Sequence, residues 1–321
     1  MRQIPWRRAA SVLAMMACAP LAHADYPDHP VRLIVPFAPG GAVDGAARPT
    51  SVELAKTLGQ PVVIDNRPGS GGTIGISLAS HAPADGYNLL LGNIALAAAP
   101  ALYPKSGIGA ADFAPVALIG STPYILAVRP DFPAKSLAEL VALAKANPGK
   151  YNYGSAGAGS AIHLAGEMFK SKAGVDIVHV PYRGAGPAMA ALLGGEVQMM
   201  FGSLMEMKPQ LQAGKLRPLA VTSASRSALA PGVPTFIESG VKDFQVTGWY
   251  GVYAPAKVPA DVLAKLRTAA VAALHSESMR QQLAHYEMEP ATGGAREAGE
   301  MLQNETERWA EVIRQAGITV Q

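Results

Sequence analysis

The sequence predicts an α/β protein of two lobes, built on two parallel-rich sheets flanked by helices, with a ligand cleft between the lobes. Three observations carry that expectation. Short branched apolar runs bounded by proline and glycine alternate along the chain with stretches of helical spacing. A strand, a glycine turn and a helix start occur together twice, once from Val31 and again from Tyr151. The chain beyond its leader is roughly 300 residues, more than one core usually supports.

The leader is residues 1–24. Arg2, Arg7 and Arg8 form a basic front, Ala9 to Ala22 is apolar but too short to span a bilayer, and Ala22-His23-Ala24 is a small-x-small cleavage site. This predicts a signal peptide cut before Asp25 and a periplasmic mature protein. Lipid attachment at Cys18 and a twin-arginine signal at Arg7-Arg8 are the alternatives, and the residues around both fit those patterns less well. Cleavage removes three of the 27 basic residues and none of the 24 acidic ones, leaving a neutral chain that argues against nucleic acid as a partner. It also removes the one cysteine, and with it disulfides and thiol chemistry.

In order, Val31–Val35 reads as a buried strand, followed by the turn Pro36-Phe37-Ala38-Pro39-Gly40-Gly41 and a helix to Leu58 closed by Gly59. Pro49 inside that helix predicts a late start or a kink. Val62–Asp65 and Asn88–Leu91 are the next strands, with a glycine turn 66–72 and a helix near 74–80 between them. Val116–Ile119 and Tyr124–Val128 are two further apolar runs, and Ser136 is placed to cap a helix Leu137–Ala146. The pattern then restarts with a strand at 151–154, the turn Ser155-Ala156-Gly157-Ala158-Gly159-Ser160 and a helix 161–172. Strands at 177–180, 197–201 and 217–222 alternate with helices ending at Leu193 and spanning 204–212. An extended run 244–253 with Trp249 and Tyr250 precedes two long helices, 260–274 and 296–316, and a shorter one between them. Because the late helices need a sheet to cover, lobe 1 is expected to be 25–123 plus 250–321 and lobe 2 to be 124–249.

Paired glycines let a backbone approach a ligand, and the free N–H groups and dipole of the following helix favour an anion. Both glycine turns are therefore candidate anion-receiving loops. Asp44 in the first helical turn is read as complementing the dipole. Ser155 and Ser160 are read as caps that can also touch a ligand. His163 either packs locally or donates to a carboxylate. No catalytic pattern survives: the lipase-type G-x-S-x-G, the phosphate loop and H-E-x-x-H are all missing, and the histidines at 29, 81, 163, 179, 275 and 285 lack ligand spacing. No enzymatic activity, metal or cofactor is expected.

The segments PVRLIVPFAPGGAVDGAAR, GQPVVIDNRPGSGGTIG, APADGYNLLLG, HLAGEMFKSKAGVDIVHVPYRGAGPAM and LLGGEVQMMF, together with LRPLAVTSASR, resemble the Bug (Bordetella uptake gene) family of substrate-binding receptors of tripartite tricarboxylate transporters. The resemblance implies a periplasmic binding protein of the type II-like fold, monomeric, that closes over a small carboxylate and hands it to the integral-membrane permease subunits. It maps carboxylate binding onto Phe37, Ala38, Pro39, Gly40, Gly41 and Asp44 in one loop, and Ser155, Ala156, Gly157, Gly159, Ser160 and His163 in the other. Asn93, Tyr182, Gly202 and Ser203 complete the expected contacts. Many members carry an aspartate after the strand matching Met199-Met200-Phe201, where Gly202-Ser203 follow here, and a threonine- and glycine-rich segment where Asn93-Ile94-Ala95-Leu96 stands, so a less charged, more apolar cleft is expected, suited to an aromatic or apolar acid. A carboxylate-sensing receptor for a membrane signalling protein is the alternative function; an enzyme on the same fold is a third.

Overall fold

The computed structural model describes residues 26–320; the expected signal peptide 1–24, including Cys18, lies outside the described residues. Val31–Val35 is β1, and the loop after it leads into α1, Ala42–Leu58, which ends on left-handed Gly59. The helix is continuous through Pro49, with neither a late start nor a break. Neighbouring hydroxyls bond to carbonyls of this stretch, Thr50 Oγ1 donating to Ala46 O at 2.7 Å and Ser51 Oγ to Arg48 O at 2.9 Å.

Next come β2 Val62–Asn66, α2 Thr73–Ser80, β3 Asn88–Gly92 and α3 Ile94–Leu102. The two apolar runs after position 113 form one strand, β4 Phe113–Val128, 16 residues long. Then follow α4 Leu137–Ala146, β5 Asn152–Ser155, α5 Ala161–Ala173 and β6 Val178–Pro181. The chain continues through α6 Ala185–Gly194, β7 Met199–Ser203, α7 Leu204–Gln212 and β8 Arg217–Val221. It ends with β9 Thr247–Pro255, α8 Ala260–Leu274, α9 Glu277–His285, the two-residue β10 Glu289–Pro290 and α10 Ala295–Ala316.

The strands run β2-β1-β3-β9-β4-β7-β5-β6, with β8 and β10 also paired to β4. Pairing is parallel toward both ends, at β2-β1-β3 and β7-β5-β6, and antiparallel through the middle, where β9 meets β3 and β4 and where β4 meets β7. Side-chain alternation specifies which face is buried, not strand direction, so the antiparallel centre is a feature that the apolar pattern leaves open. β4 joins the two parallel groups: Phe113–Pro123 pairs with β9, whereas Tyr124–Val128 pairs with β7 and β8. Gly59 and the other turns place each helix against a face: α8 lies on α1, and α10 packs across α3 and β4. Trp249 and Tyr250, each 1% exposed on β9, pack at the centre rather than against the cavity described below. A cluster of Phe169, Phe201, Phe236 and Phe244 fills the other end, Phe236 and Phe244 stacking at 4.0 Å between centroids.

Candidate functional site

Between the two parallel groups lies a narrow cavity. Its wall is built from the starts of five helices. Gly41, Ala42 and Val43 open α1; Asn93 caps α3; Ser160, Ala161 and Ile162 open α5; Gly184 and Ala185 open α6; Glu206 lies in the first turn of α7. Phe37, Ala38, Tyr124 and Ala156 complete it, so no Lys, Arg or His lines it. Each helix start carries unpaired N–H groups and a dipole equal to roughly half a positive charge. The helix starts therefore lend the cavity positive potential without a cation, opposed by the Glu206 carboxyl in its wall.

Those five ends are not equivalent. Asn93, Ser160 and Ser203 cap α3, α5 and α7 through their own side chains, accepting from Ala95, His163 and Glu206 N–H respectively. α1 and α6 start at Gly41 and Gly184, which have no side chain to cap them. One comes from each parallel group, and both open on the same cavity. A larger hollow continues from the cavity past Phe37, Ala38, Ala156 and Gly184 to Pro68–Gly72, Gly157, Ala158, Tyr182 and Arg183, which brings one cation to its edge. There the loops meet: the single O–H of Tyr103 lies between Ala158 O at 3.1 Å and Ser70 O at 3.3 Å.

Of the residues expected from sequence, the structure brings Phe37, Ala38, Gly41, Asn93, Ala156 and Ser160 into the cavity wall, and Gly157 and Tyr182 into the adjoining hollow. Pro39, Gly40, Asp44, Ser155, Gly159, His163, Gly202 and Ser203 line neither. Asp44, 1% exposed, braces the first loop from behind, accepting from Gly40 N–H at 3.0 Å, Arg48 Nε at 2.8 Å and Asn66 Nδ2 at 3.1 Å. His163 braces the second: its Nδ1 accepts from Gly159 N–H at 3.1 Å, so the hydrogen sits on Nε2. Burial holds its pKa below the ordinary value. Ser155 Oγ pairs with His179 Nε2 at 2.6 Å and accepts from Gly157 N–H at 3.1 Å. Burial, then the adjoining His163 ring at 4.2 Å, depresses His179 to about 3, so this ring is neutral near neutral pH. Ser203 is the cap of α7, and a Cβ on Gly202 would run into Met207.

Four wall residues outside the two predicted loops escaped the sequence reading: Tyr124, Gly184, Ala185 and Glu206. Gly184 carried the same signal as Gly41, a glycine immediately before a helix. Glu206 carried none, because a glutamate at the third helical position reads as half of a capping box, which it also is. Its Oε2 accepts from Ser203 N–H at 3.1 Å, and its Oε1 crosses to Ala42 N–H at 3.0 Å, the first N–H of α1. Burial raises its pKa against the pull of these bonds. The wall thus carries an acidic group that the Gly202-Ser203 replacement did not imply. Tyr124 stands in the wall with Tyr250 behind it; burial raises both, the adjoining Tyr124 hydroxyl next raises Tyr250, and the Glu206 charge adds to each. Among the described residues no group of three or more His, Cys, Asp or Glu is placed to hold a metal ion, and no helix is long and apolar enough to cross a membrane.

A mixed α/β sheet whose helix starts converge from two sides on a cation-free cavity defines a solute-binding protein. The chain is 36% identical to the periplasmic binding protein BugD, whose structure superposes with a TM-score of 0.87 over 92% of this chain and 100% of that one. The chain belongs to the tripartite tricarboxylate transporter receptor family, whose model matches residues 46–318. Protein BugT of Bordetella pertussis is 35% identical over 302 residues, 93% of each chain. The R. palustris protein Rpa4515, solved with adipate, is 36% identical at a TM-score of 0.86, covering 92% of this chain and 99% of that one.

Proposed function

We propose that this receptor captures a small carboxylate in the periplasm and delivers it to the integral-membrane permease subunits of its transporter. The observation that carries the reading is the convergence of helix starts on one cavity from the two sides, α1 at Gly41 and α6 at Gly184 among them, with no Lys, Arg or His in the wall. Each hydrogen bond to an ionised group contributes roughly 1.5–3 kcal/mol, so three or four, with burial of the carbon skeleton, support a micromolar dissociation constant, about −8 kcal/mol. The adipate in Rpa4515 shows that a relative of this fold accommodates a carboxylate. The site comprises Phe37, Ala38, Gly41, Asn93, Ala156, Ser160 and Tyr182 in contact with ligand or entrance. Asp44, Ser155, Gly159, His163, Gly202 and Ser203 hold their loops and caps.

Two lobes are part of this reading, 25–123 with 250–321 and 124–249. The change of β4 partner between Pro123 and Tyr124 supports the first boundary, and the packing of α8 and α10 on the first group supports the return of the chain. A thermal-shift panel of carboxylic acids tests the function. An acid at a hundred times its dissociation constant adds about 2.7 kcal/mol to stability; a panel in which sugars or amines alone raise the melting temperature contradicts it.

A further inference from the structure

Tyr103 bridges the two sides of the molecule while lining neither the cavity nor the hollow. It closes the C-terminal end of α3, which follows β3 of one parallel group. Its main chain is fixed there: its N–H donates to Ala99 O at 2.8 Å, and Ser106 N–H and Oγ donate to its carbonyl at 2.9 and 2.7 Å. Across the mouth, the phenol lies against the turn between β5 and α5 of the other group. A Cβ added to Gly159 would come within 3.1 Å of Tyr103 Oη and 3.3 Å of Leu102. The one O–H has an acceptor on each side, Ala158 O across the mouth and Ser70 O in the turn between β2 and α2 on its own side. Moving the groups apart takes away Ala158 but not Ser70, so the hydroxyl keeps a partner when the mouth opens. Bringing them together gives the Ala158 carbonyl a donor just where Gly71 closes over it. A covered carbonyl left unpaired costs more than the bond itself is worth. A second tie between the sides, Glu206 to Ala42 N–H, lies in the cavity wall and so bears on closure and solute contact together. Tyr103 bears on closure alone.

We infer that Tyr103 is the catch of the mouth: its hydroxyl passes from Ser70 to Ala158 as the two sides close, which favours the closed arrangement before a solute binds and slows the solute's escape afterwards. It is a positioning residue, acting through the turn at 158–159 without touching the solute. The inference holds for a solute of any charge, so it stands apart from the carboxylate reading.

The test is pulsed electron paramagnetic resonance between spin labels at Leu78→Cys on α2 and Ala190→Cys on α6, exposed positions on opposite sides. Cys18 lies in the expected signal peptide, so the mature protein carries no other cysteine. With no solute added, the protein should show a short and a long distance. Tyr103→Phe should lower the short-to-long ratio about fivefold, the change that one ordinary hydrogen bond brings. Tyr87→Phe, which removes a hydroxyl bonded to Asp28 on one side alone, should leave the ratio as it is. Melting curves confirm that both variants fold. Adipate bound to Tyr103→Phe should dissociate about fivefold faster than from wild type. A ratio that Tyr103→Phe leaves unchanged, an equal fall in Tyr87→Phe, or a single distance in wild type overturns the catch, whichever solutes bind. A ratio that shifts as expected in a protein that binds no acid supports the catch and overturns the carboxylate reading alone.

Discussion

Gly71 shows at single-residue scale how closely the two sides approach. It is left-handed at φ 61°, and a Cβ built on it would sit 2.0 Å from Ala158 O. Gly71→Ala should therefore hold the entrance loops apart, weakening ligand binding about tenfold or more while leaving the helical circular dichroism unchanged; an unaltered affinity means that the loops need not meet. Ser160→Ala removes the cap of α5 and a cavity residue together, so the melting curve should report a loss of about 1 kcal/mol along with weaker binding. His179 predicts a pH effect. Its folded pKa of about 3 lies below the ordinary value of 6.5, so the unfolded chain takes up the proton first. Its contribution is present in full above pH 6.5 and is lost as pH falls toward 3. The melting temperature should drop over that window, and His179→Gln should flatten the drop. A residue whose role is to brace is hard to read from sequence: Asp44 and Ser155 lie in the chosen loops, but only the fold shows that they support the wall from behind.

Among the elements, the surface helices were legible because one face is apolar and the ends are marked; α7 and α8 start and stop where spacing and caps place them. α3 was not, for a physical reason. Ile94 to Ala99 are all buried, so there is no polar face and no amphipathic stripe to detect. The single strand β4 looked like two because Gly120 to Pro123 interrupts its apolar run, at the place where its pairing partner changes. Under the proposed function the two glycine starts are the elements that bear most on binding. Gly184, at φ 126° with a Cβ position 3.5 Å from the Cβ of Ala38, sits where the two loops face each other. Gly184→Ala strains that turn and narrows the cavity, and should weaken binding more than Ser160→Ala does when both are measured by calorimetry. The reverse order would assign the main anion contact to α5.

For the whole molecule, two groups of parallel strands are joined through β4 and β9, and the cavity lies where their helix starts oppose each other. That architecture was legible because strand–turn–helix units repeat along the chain; the antiparallel centre was not, because apolar alternation is the same in either direction. A ligand that bonds to both sides stabilises the closed arrangement, since only there are both sets of contacts made. Small-angle scattering should accordingly show a smaller radius of gyration with a saturating acid than without it.

The most direct measurement is a crystal structure with whichever carboxylic acid gives the largest thermal shift. The account predicts a carboxylate within hydrogen-bond distance of main-chain N–H groups at the starts of both α1 and α6, with no Lys or Arg in contact. A carboxylate touching one side alone, or bound outside this cavity, contradicts it.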